Sequence, residues 1–352
     1  MTPEAYRRIL LVRLTSFGDV VRATGFPRAL RKACPKAEIV MVTNHAFAPL
    51  FAASAGIDRL ITDRGAPRLL GVWREARRKL RALRQNGGFD LAVDLQGTRA
   101  SAAWIYASSA RQMAGRGKWR PGWRFTIRED YRVSDVNETT AIFERLGIEI
   151  SDPSPTLVGL AADDAALDMR LRGEGLPARG FLLVAPFSRW ASKAWPAERY
   201  NELLPRLRAS LEMPIIVVGG AAEAGAAAWL IDDLPPGTAV SLAGRLNLGE
   251  LICLLRRARL VVTCDSGAMH AAAAVGTPVL ALFGPTWPER AGPWGSGHRV
   301  LQRWRGDSHH AYRDPASAVG MAAIGVDEVF AAIVEQLEQA PLAAAAPNDV
   351  VP

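Results

Sequence analysis

Cysteine is scarce in this chain: Cys34, Cys253 and Cys264 stand far apart among 352 residues. Three such residues form neither a disulfide framework nor a paired zinc motif, so a reducing, cytoplasmic setting is expected. Long apolar runs are also missing. No segment approaches the roughly 20 residues of a membrane span, although 49% of the residues are hydrophobic. The opening MTPEAYRRILLVRL places basic residues before an apolar run, but that run is too short for a leader and lacks a small-residue cleavage site. It reads as a first strand. No His, Cys and carboxylate spacing resembles a metal site, so no metal is expected, and there is no Gly-x-Ser-x-Gly nucleophile elbow. Neither opening strand is followed by G-x-G-x-x-G, which argues against a nicotinamide oxidoreductase.

Acidic residues run short in only one half. Residues 1–150 hold 26 Lys and Arg against 14 Asp and Glu, whereas residues 151–352 hold 17 against 21. The formal charge of +8 therefore hides a basic first half and a mildly acidic second half. A basic half suits nucleic acid, an anionic membrane surface or a phosphorylated substrate. The length itself suggests two domains.

Apolar runs alternate with helical patterns along the chain. Strands are predicted at Arg8–Leu14, Glu38–Thr43 and Phe89–Leu95, with helices after the first, over Pro67–Gln85 and over Asp135–Leu146. In the second of these helices Leu69, Leu70, Trp73, Ala76, Leu80 and Leu83 recur at helical spacing. Residues 147–180 carry Pro153, Pro155, Gly173, Gly175 and Pro177 and read as a linker region. The alternation then restarts, with strands at Phe181–Ala185, Pro214–Val218, Ala239–Leu242, Leu260–Cys264 and Pro278–Phe283. A last helix is predicted at Asp327–Gln339, ahead of an Ala/Pro tail expected to fray. Two doubly wound halves facing a cleft is the α/β architecture this implies.

Within Leu260–Glu289 a strand ends in Asp265-Ser266-Gly267, a helix bearing His270 follows, and a second strand leads to Gly284-Pro285-Thr286. Ligands of parallel sheets bind beyond the strands' carboxyl ends, where helix N-termini offer N–H groups to anions. Each neighbouring candidate has two readings. Asp19, after Gly18 at a strand-to-helix turn, is a general base or a helix cap. Lys193, in Ser188-Arg189-Trp190-Ala191-Ser192-Lys193, is a diphosphate ligand or a solvated lysine. Glu223, after Gly219-Gly220, receives ribose hydroxyls or stabilises a helix dipole. His270 either donates to a phosphate or sugar oxygen or packs beside Ala271–Ala274. The stretch RQMAGRGKWRPGWR at Arg111–Arg124 offers arginines and tryptophans for bases, sugars or a membrane interface.

Four collinear segments carry a resemblance: ILLVRLTSFGDVVRATGFPRALR, FDLAVDLQGTRASA, SKAWPAERY and CDSGAMHAAAAVGTPVLALFGPTWPE. Together they resemble glycosyltransferase family 9, the lipopolysaccharide heptosyltransferases, from about Arg8 to Val329. The resemblance implies a GT-B fold, with an acceptor domain at 1–165, a nucleotide-sugar domain at 166–326, a C-terminal helix at 327–340 and a flexible tail at 341–352. It implies inverting transfer of heptose from ADP-heptose to a lipopolysaccharide core sugar, with the nucleotide sugar as substrate and no cofactor or catalytic metal. Carried over, Asp19 is the general base, and Ser188, Lys193, Asp265, Ser266, Gly267 and His270 hold the donor. Glu223 takes the ribose and Leu246 lies near the adenine. Arg22, Arg99, Arg116, Lys118 and Arg120 are candidates for a phosphorylated acceptor. The expected location is the cytoplasmic face of the inner membrane, held peripherally by its anionic surface. The segment Gln302–Gly320 departs from the pattern, since many members carry cysteines there. Other readings are a related transferase using another nucleotide sugar or a protein acceptor, and a basic nucleic-acid-binding module.

Overall fold

Short apolar runs with no polar alternation suit strands covered on both faces, the usual state of a parallel sheet. The computed structural model describes residues 3–65, 68–116, 127–129, 136–308, 310–339 and 350–351, and it builds two such sheets. The chain divides into two compact units, Met1–Leu157 and Val158–Pro352.

In the first unit the strands are β1 (Arg8–Val12), β2 (Glu38–Asn44), β3 (Arg59–Asp63), β4 (Leu91–Asp94), β5 (Gln112–Arg116) and β6 (Ile127–Glu129). They pair in the order β3-β2-β1-β4-β5-β6, and every pairing is parallel. At the central seam Val12 lies opposite both Val42 and Asp94. Helices Leu69–Gln85 and Arg99–Ser108 cover one face, where Val72, Ala76, Leu80, Trp104 and Ile105 meet Leu10, Val12, Val40 and Val42. The buried stripe of Leu69–Gln85 is thus Val72, Ala76, Leu80 and Leu83, and the expected members Leu69, Leu70 and Trp73 are exposed.

The second unit adds β7 (Gly159–Leu160), β8 (Phe181–Ala185), β9 (Ile215–Val217), β10 (Val240–Ser241), β11 (Ala258–Cys264), β12 (Val279–Phe283), β13 (Arg299–Gln302) and β14 (Val350–Val351). Its main sheet runs β10-β9-β8-β11-β12-β13, and β7 pairs only with β14. Both six-stranded sheets therefore repeat one Rossmann-type order, in which the first strand of the sheet in chain order sits beside its fourth. The helix Val326–Gln339 belongs to this unit's core, with Val329, Ala332 and Ile333 fully buried against β11 and the helix Ala197–Ser210.

The region read as a linker contains the helix Ala161–Gly173, and the boundary falls before it rather than at 165/166. Packing explains this. Leu167 and Leu171 are buried, Arg257 bonds Asp164 and Asp168 at 2.6 Å each, and Arg170 bonds Glu250 at 3.0 Å. These contacts fasten the helix to the second unit. The first third of the Arg111–Arg124 stretch is β5, an interior strand with Met113 and Ala114 buried. Trp119, Trp123 and the flanking residues 117–126 lie outside the described residues, as does the tail at 341–349.

Candidate functional site

In this strand order the chain leaves the two central strands in opposite directions, opening a crevice at their carboxyl ends. In the first unit those strands are β1 and β4, followed by Arg13–Asp19 and by Leu95–Gly97. In the second they are β8 and β11, followed by Pro186–Lys193 and by Asp265–Gly267. Of the residues singled out by sequence, Asp19, Ser188, Lys193, Asp265, Ser266 and Gly267 fall at these two switch points.

Asp19 is the third residue of the helix Phe17–Ala23, whose N-cap is Ser16. The helix thus starts earlier than expected, and Asp19 closes a capping box from inside rather than standing at the cap. Its Oδ2 accepts from Ser16 Oγ at 2.8 Å and from the Ser16 N–H at 3.4 Å. Its Oδ1 lies 3.0 Å from Nη2 of Arg13, a guanidinium buried at the end of β1 that also donates to the Leu95 carbonyl. The Asp19 side chain remains partly exposed, so a carboxylate oriented by two neighbours still reaches solvent.

Gln96 stitches the adjoining turns together. Its Oε1 accepts from the N–H groups of Leu14 (2.6 Å) and Thr15 (3.0 Å), and its Nε2 donates to Thr15 Oγ1 and Thr98 Oγ1, both at 3.1 Å. Asp94 is buried beneath. It accepts from the N–H groups of Gln96 and Gly97 at 2.9 Å and from Ser101 Oγ at 3.0 Å. Burial pushes its carboxyl up to about 6, against the lowering effect of those hydrogen bonds and of Arg13. Gly115 permits this packing: a Cβ there would stand 2.6 Å from the Asp94 Cβ. Of the expected acceptor residues, Arg22 is half-buried in the last turn of the helix Phe17–Ala23, and Arg99 is exposed at the start of the helix Arg99–Ser108. Arg116 ends β5, while Lys118 and Arg120 lie outside the described residues.

In the second unit, Lys193 closes the 3-10 turn Ala191–Lys193 after β8. Its Nζ lies 2.6 Å from Oδ2 of Asp265, which also accepts from Thr286 Oγ1 at 2.7 Å. Both charged side chains are largely buried. The ring of Tyr312 sits 4.5 Å from the same ammonium, a cation–π contact. Tyr312 is held by its carbonyl, which accepts from Ser192 Oγ at 2.5 Å, and by Trp190, which meets its ring edge-on at 5.1 Å. Gln302 pins the Gly284–Thr286 loop through donors to the Gly284 and Thr286 carbonyls at 2.7 and 2.8 Å.

Lys193 is therefore no solvated lysine. Its charge is matched by Asp265, and an ammonium has three donors, of which Asp265 takes one. Ser188 makes long contacts of 3.5 Å with the Asp265 carbonyl and the Trp190 N–H. Ser266 caps the helix Gly267–Ala274 and shares a 3.0 Å hydroxyl contact with Thr263, leaving the helix's first N–H groups at the carboxyl edge. His270 is buried within that helix. Glu223 accepts from the Gly220 N–H at 2.6 Å in the first turn of the 3-10 segment Ala221–Glu223, one strand away after β9. Leu246 is half-buried one strand further, after β10. Thr286, Tyr312 and Gln302 were not picked out from sequence. Thr286 stands inside a quoted motif, whereas Tyr312 and Gln302 lie in the segment that departs from the family pattern and carry no periodic signal.

Burial pushes the thiols of Cys34, Cys253 and Cys264 up to about 11, 12 and 11, making them poor nucleophiles. Among the described residues no three His, Cys, Asp or Glu side chains gather as metal ligands, and no single helix is long and apolar enough to cross a membrane.

Comparison with known proteins bears on both units. The family model of glycosyltransferase family 9 (heptosyltransferase) matches residues 76–314. The chain is 27% identical to lipopolysaccharide heptosyltransferase 1 of Pseudomonas aeruginosa, covering 82% of this chain and 81% of that protein. It is 26% identical to lipopolysaccharide heptosyltransferase 2 of Salmonella typhimurium, over 94% and 97%. Among solved structures, a family 9 glycosyl transferase from Veillonella parvula superposes with a TM-score of 0.85 at 21% identity, covering 96% and 98%. An E. coli heptosyltransferase solved with ADP gives 0.66 at 22% identity, covering 94% and 99%. Paired Rossmann-like units with this likeness make the fold GT-B.

Proposed function

This chain belongs to glycosyltransferase family 9, and on that premise we propose that it transfers a heptose from ADP-heptose to a sugar of the lipopolysaccharide inner core, with inversion. The observation that carries the reading is the complementary chemistry of the two switch points. One presents a partly exposed carboxylate, Asp19, and the other a lysine, Lys193, beside a helix N-terminus.

In this reading the acceptor hydroxyl oxygen attacks the anomeric carbon as the bond to the ADP phosphate oxygen breaks. The hydroxyl proton passes to Asp19, and the departing ADP carries the electron pair of the broken bond. Arg13 and Ser16 hold Asp19 in place. The leaving diphosphate is met by Lys193 and the N–H groups at Gly267, groups already set in place before the charge develops, with no cofactor or metal assigned a step. Asp265, Thr286 and Tyr312 aim Lys193. Glu223 and Leu246 extend the same edge toward ribose and adenine. The steps from β11 to β10 cover about 14 Å at the usual strand spacing. The enzyme works at the cytoplasmic face of the inner membrane, held there peripherally.

The test is a thermal-shift series with ADP, UDP and GDP, followed by ADP release from ADP-heptose with a panel of truncated lipopolysaccharide acceptors. At a hundredfold excess over Kd, ADP stabilises by about 2.7 kcal/mol, a rise of roughly 5–10 °C for a unit of this size. Stabilisation by UDP or GDP with none by ADP overturns the donor assignment. Donor turnover that ignores every core acceptor overturns the acceptor.

A further inference from the structure

The helix Leu69–Gln85 carries two apolar surfaces. One is the buried stripe that seals the first unit's core, described above. The other is exposed: Leu69, Leu70 and Trp73 are 49%, 56% and 36% exposed at its first turns. Arg74, Arg77, Arg78 and Arg81 are all exposed as well. At 100° per residue Leu70 falls among these arginines, and Trp73 borders them. Arg77 lies over the Trp73 ring at 4.8 Å. The helix holds six Lys and Arg against one Glu, and Glu75 is bonded to Lys79 at 2.7 Å.

Its direction matters. At its C-terminal end Arg8, the first residue of β1, donates to the carbonyls of Leu83 (2.9 Å) and Asn86 (2.8 Å). That end therefore lies at the amino edge of the sheet. The first turns, with Leu69, Leu70 and Trp73, lie at the carboxyl edge, where Arg13 and Asp19 are.

We propose that this exposed face docks on an anionic lipid bilayer, with Leu69, Leu70 and Trp73 entering the interface and the following arginines resting on headgroup phosphates. Charge selects this occupant. A second copy of the same face repels it. An aliphatic leucine among arginines is the pattern of interfacial helices, whereas single-stranded nucleic acid seeks aromatic platforms. Docking there turns the Asp19 edge of the unit toward lipid-anchored sugar. The inference deepens the membrane-facing part of the proposed function and is independent of which sugar is transferred.

The test is sedimentation of the full chain with vesicles of phosphatidylcholine alone or with 30% phosphatidylglycerol, at low and high salt. An excess of a single-stranded oligonucleotide is added in a parallel arm. Two variants are compared, L69S/L70S and R74Q/R77Q/R81Q, each with its unfolding midpoint measured. The wild type is expected to bind only the anionic vesicles and to be released by salt. The arginine variant is expected to lose about a hundredfold in partition, roughly fivefold per arginine. The leucine variant is expected to lose at least tenfold with its midpoint unchanged. No binding by the wild type refutes both the membrane location and this surface. Equal binding by wild type and both variants refutes this surface alone. Release of the vesicles by the oligonucleotide, with L69S/L70S behaving as wild type, assigns the face to nucleic acid instead and refutes the proposal.

Discussion

Asp94 offers the sharpest check on the first unit, because its burial translates into a stability that depends on pH in one direction only. The carboxyl is fully enclosed and its pKa rises from 3.8 to about 6 through desolvation. A folded-state pKa above the unfolded value means that the native state prefers the protonated acid. The associated stability is present below about pH 4 and is lost as pH rises through about 6. A shift of about two units corresponds to about 3 kcal/mol. Asp94→Asn does not titrate. Its amide oxygen keeps the bonds from the Gln96 and Gly97 N–H groups, and its NH2 can donate to Ser101 Oγ, which already donates to the Thr98 carbonyl at 3.0 Å. The variant should therefore gain on the wild type by about 3 kcal/mol between pH 4 and pH 6 and hold that difference above it. For a unit of some 150 residues this is roughly 6–12 °C in the unfolding midpoint. Calorimetric scans of both proteins at pH 4, 5, 6 and 7 measure the difference. A gap that stays constant over that range, or that narrows as pH rises, refutes the argument.

Two further outcomes concern the sites. Asp19→Asn keeps an acceptor for the Ser16 cap but no longer takes a proton, so turnover should fall by about 10²–10⁴-fold with ADP affinity unchanged. Lys193→Ala should weaken ADP binding as well. Calorimetric titration and ADP release separate the two, and an Asp19→Asn enzyme with most of its activity would restore a purely capping role. Tyr312→Ala should lower kcat/KM for the nucleotide sugar several-fold, with kcat falling as well, while Tyr312→Phe, which keeps the ring over Lys193, should behave as wild type. A loss in both variants, or in neither, would show that the ring does not position the lysine.

The central strands were legible because each contains a run of consecutive apolar residues. β1, β2, β4, β8, β9, β11 and β12 all lie within or overlap the runs read from sequence. The missed strands are β3, β5, β6, β7, β13 and β14: RLITD, QMAGR, IRE and RVLQ in β3, β5, β6 and β13 mix charge or glycine with few apolar residues, and β7 and β14 are two residues each. Such strands are specified by neighbours, as Gly115 beside Asp94 illustrates. Asp19, Lys193 and Asp265 could be named because they lie in the turns that follow strong strands, whereas Arg13 and Gln96 in the same turns were not. Tyr312 could not, since it reaches Lys193 from a segment more than a hundred residues away with no local pattern. The helical stripe failed for a different reason. Leu69 continues the stripe past the covered part of the helix, whereas Leu70 and Trp73 turn toward the arginines, so spacing alone grouped residues of two faces.

The repeated strand order has a consequence for how such enzymes diversify. Each named core cluster draws its members from one unit, and every sheet pairing closes within that unit. A crossover between Leu157 and Val158 cuts none of these pairings. On the proposed function, donor and acceptor preferences are thus held on separately inheritable cassettes. Recombination can replace one while the other's core, switch point and polar network pass through intact.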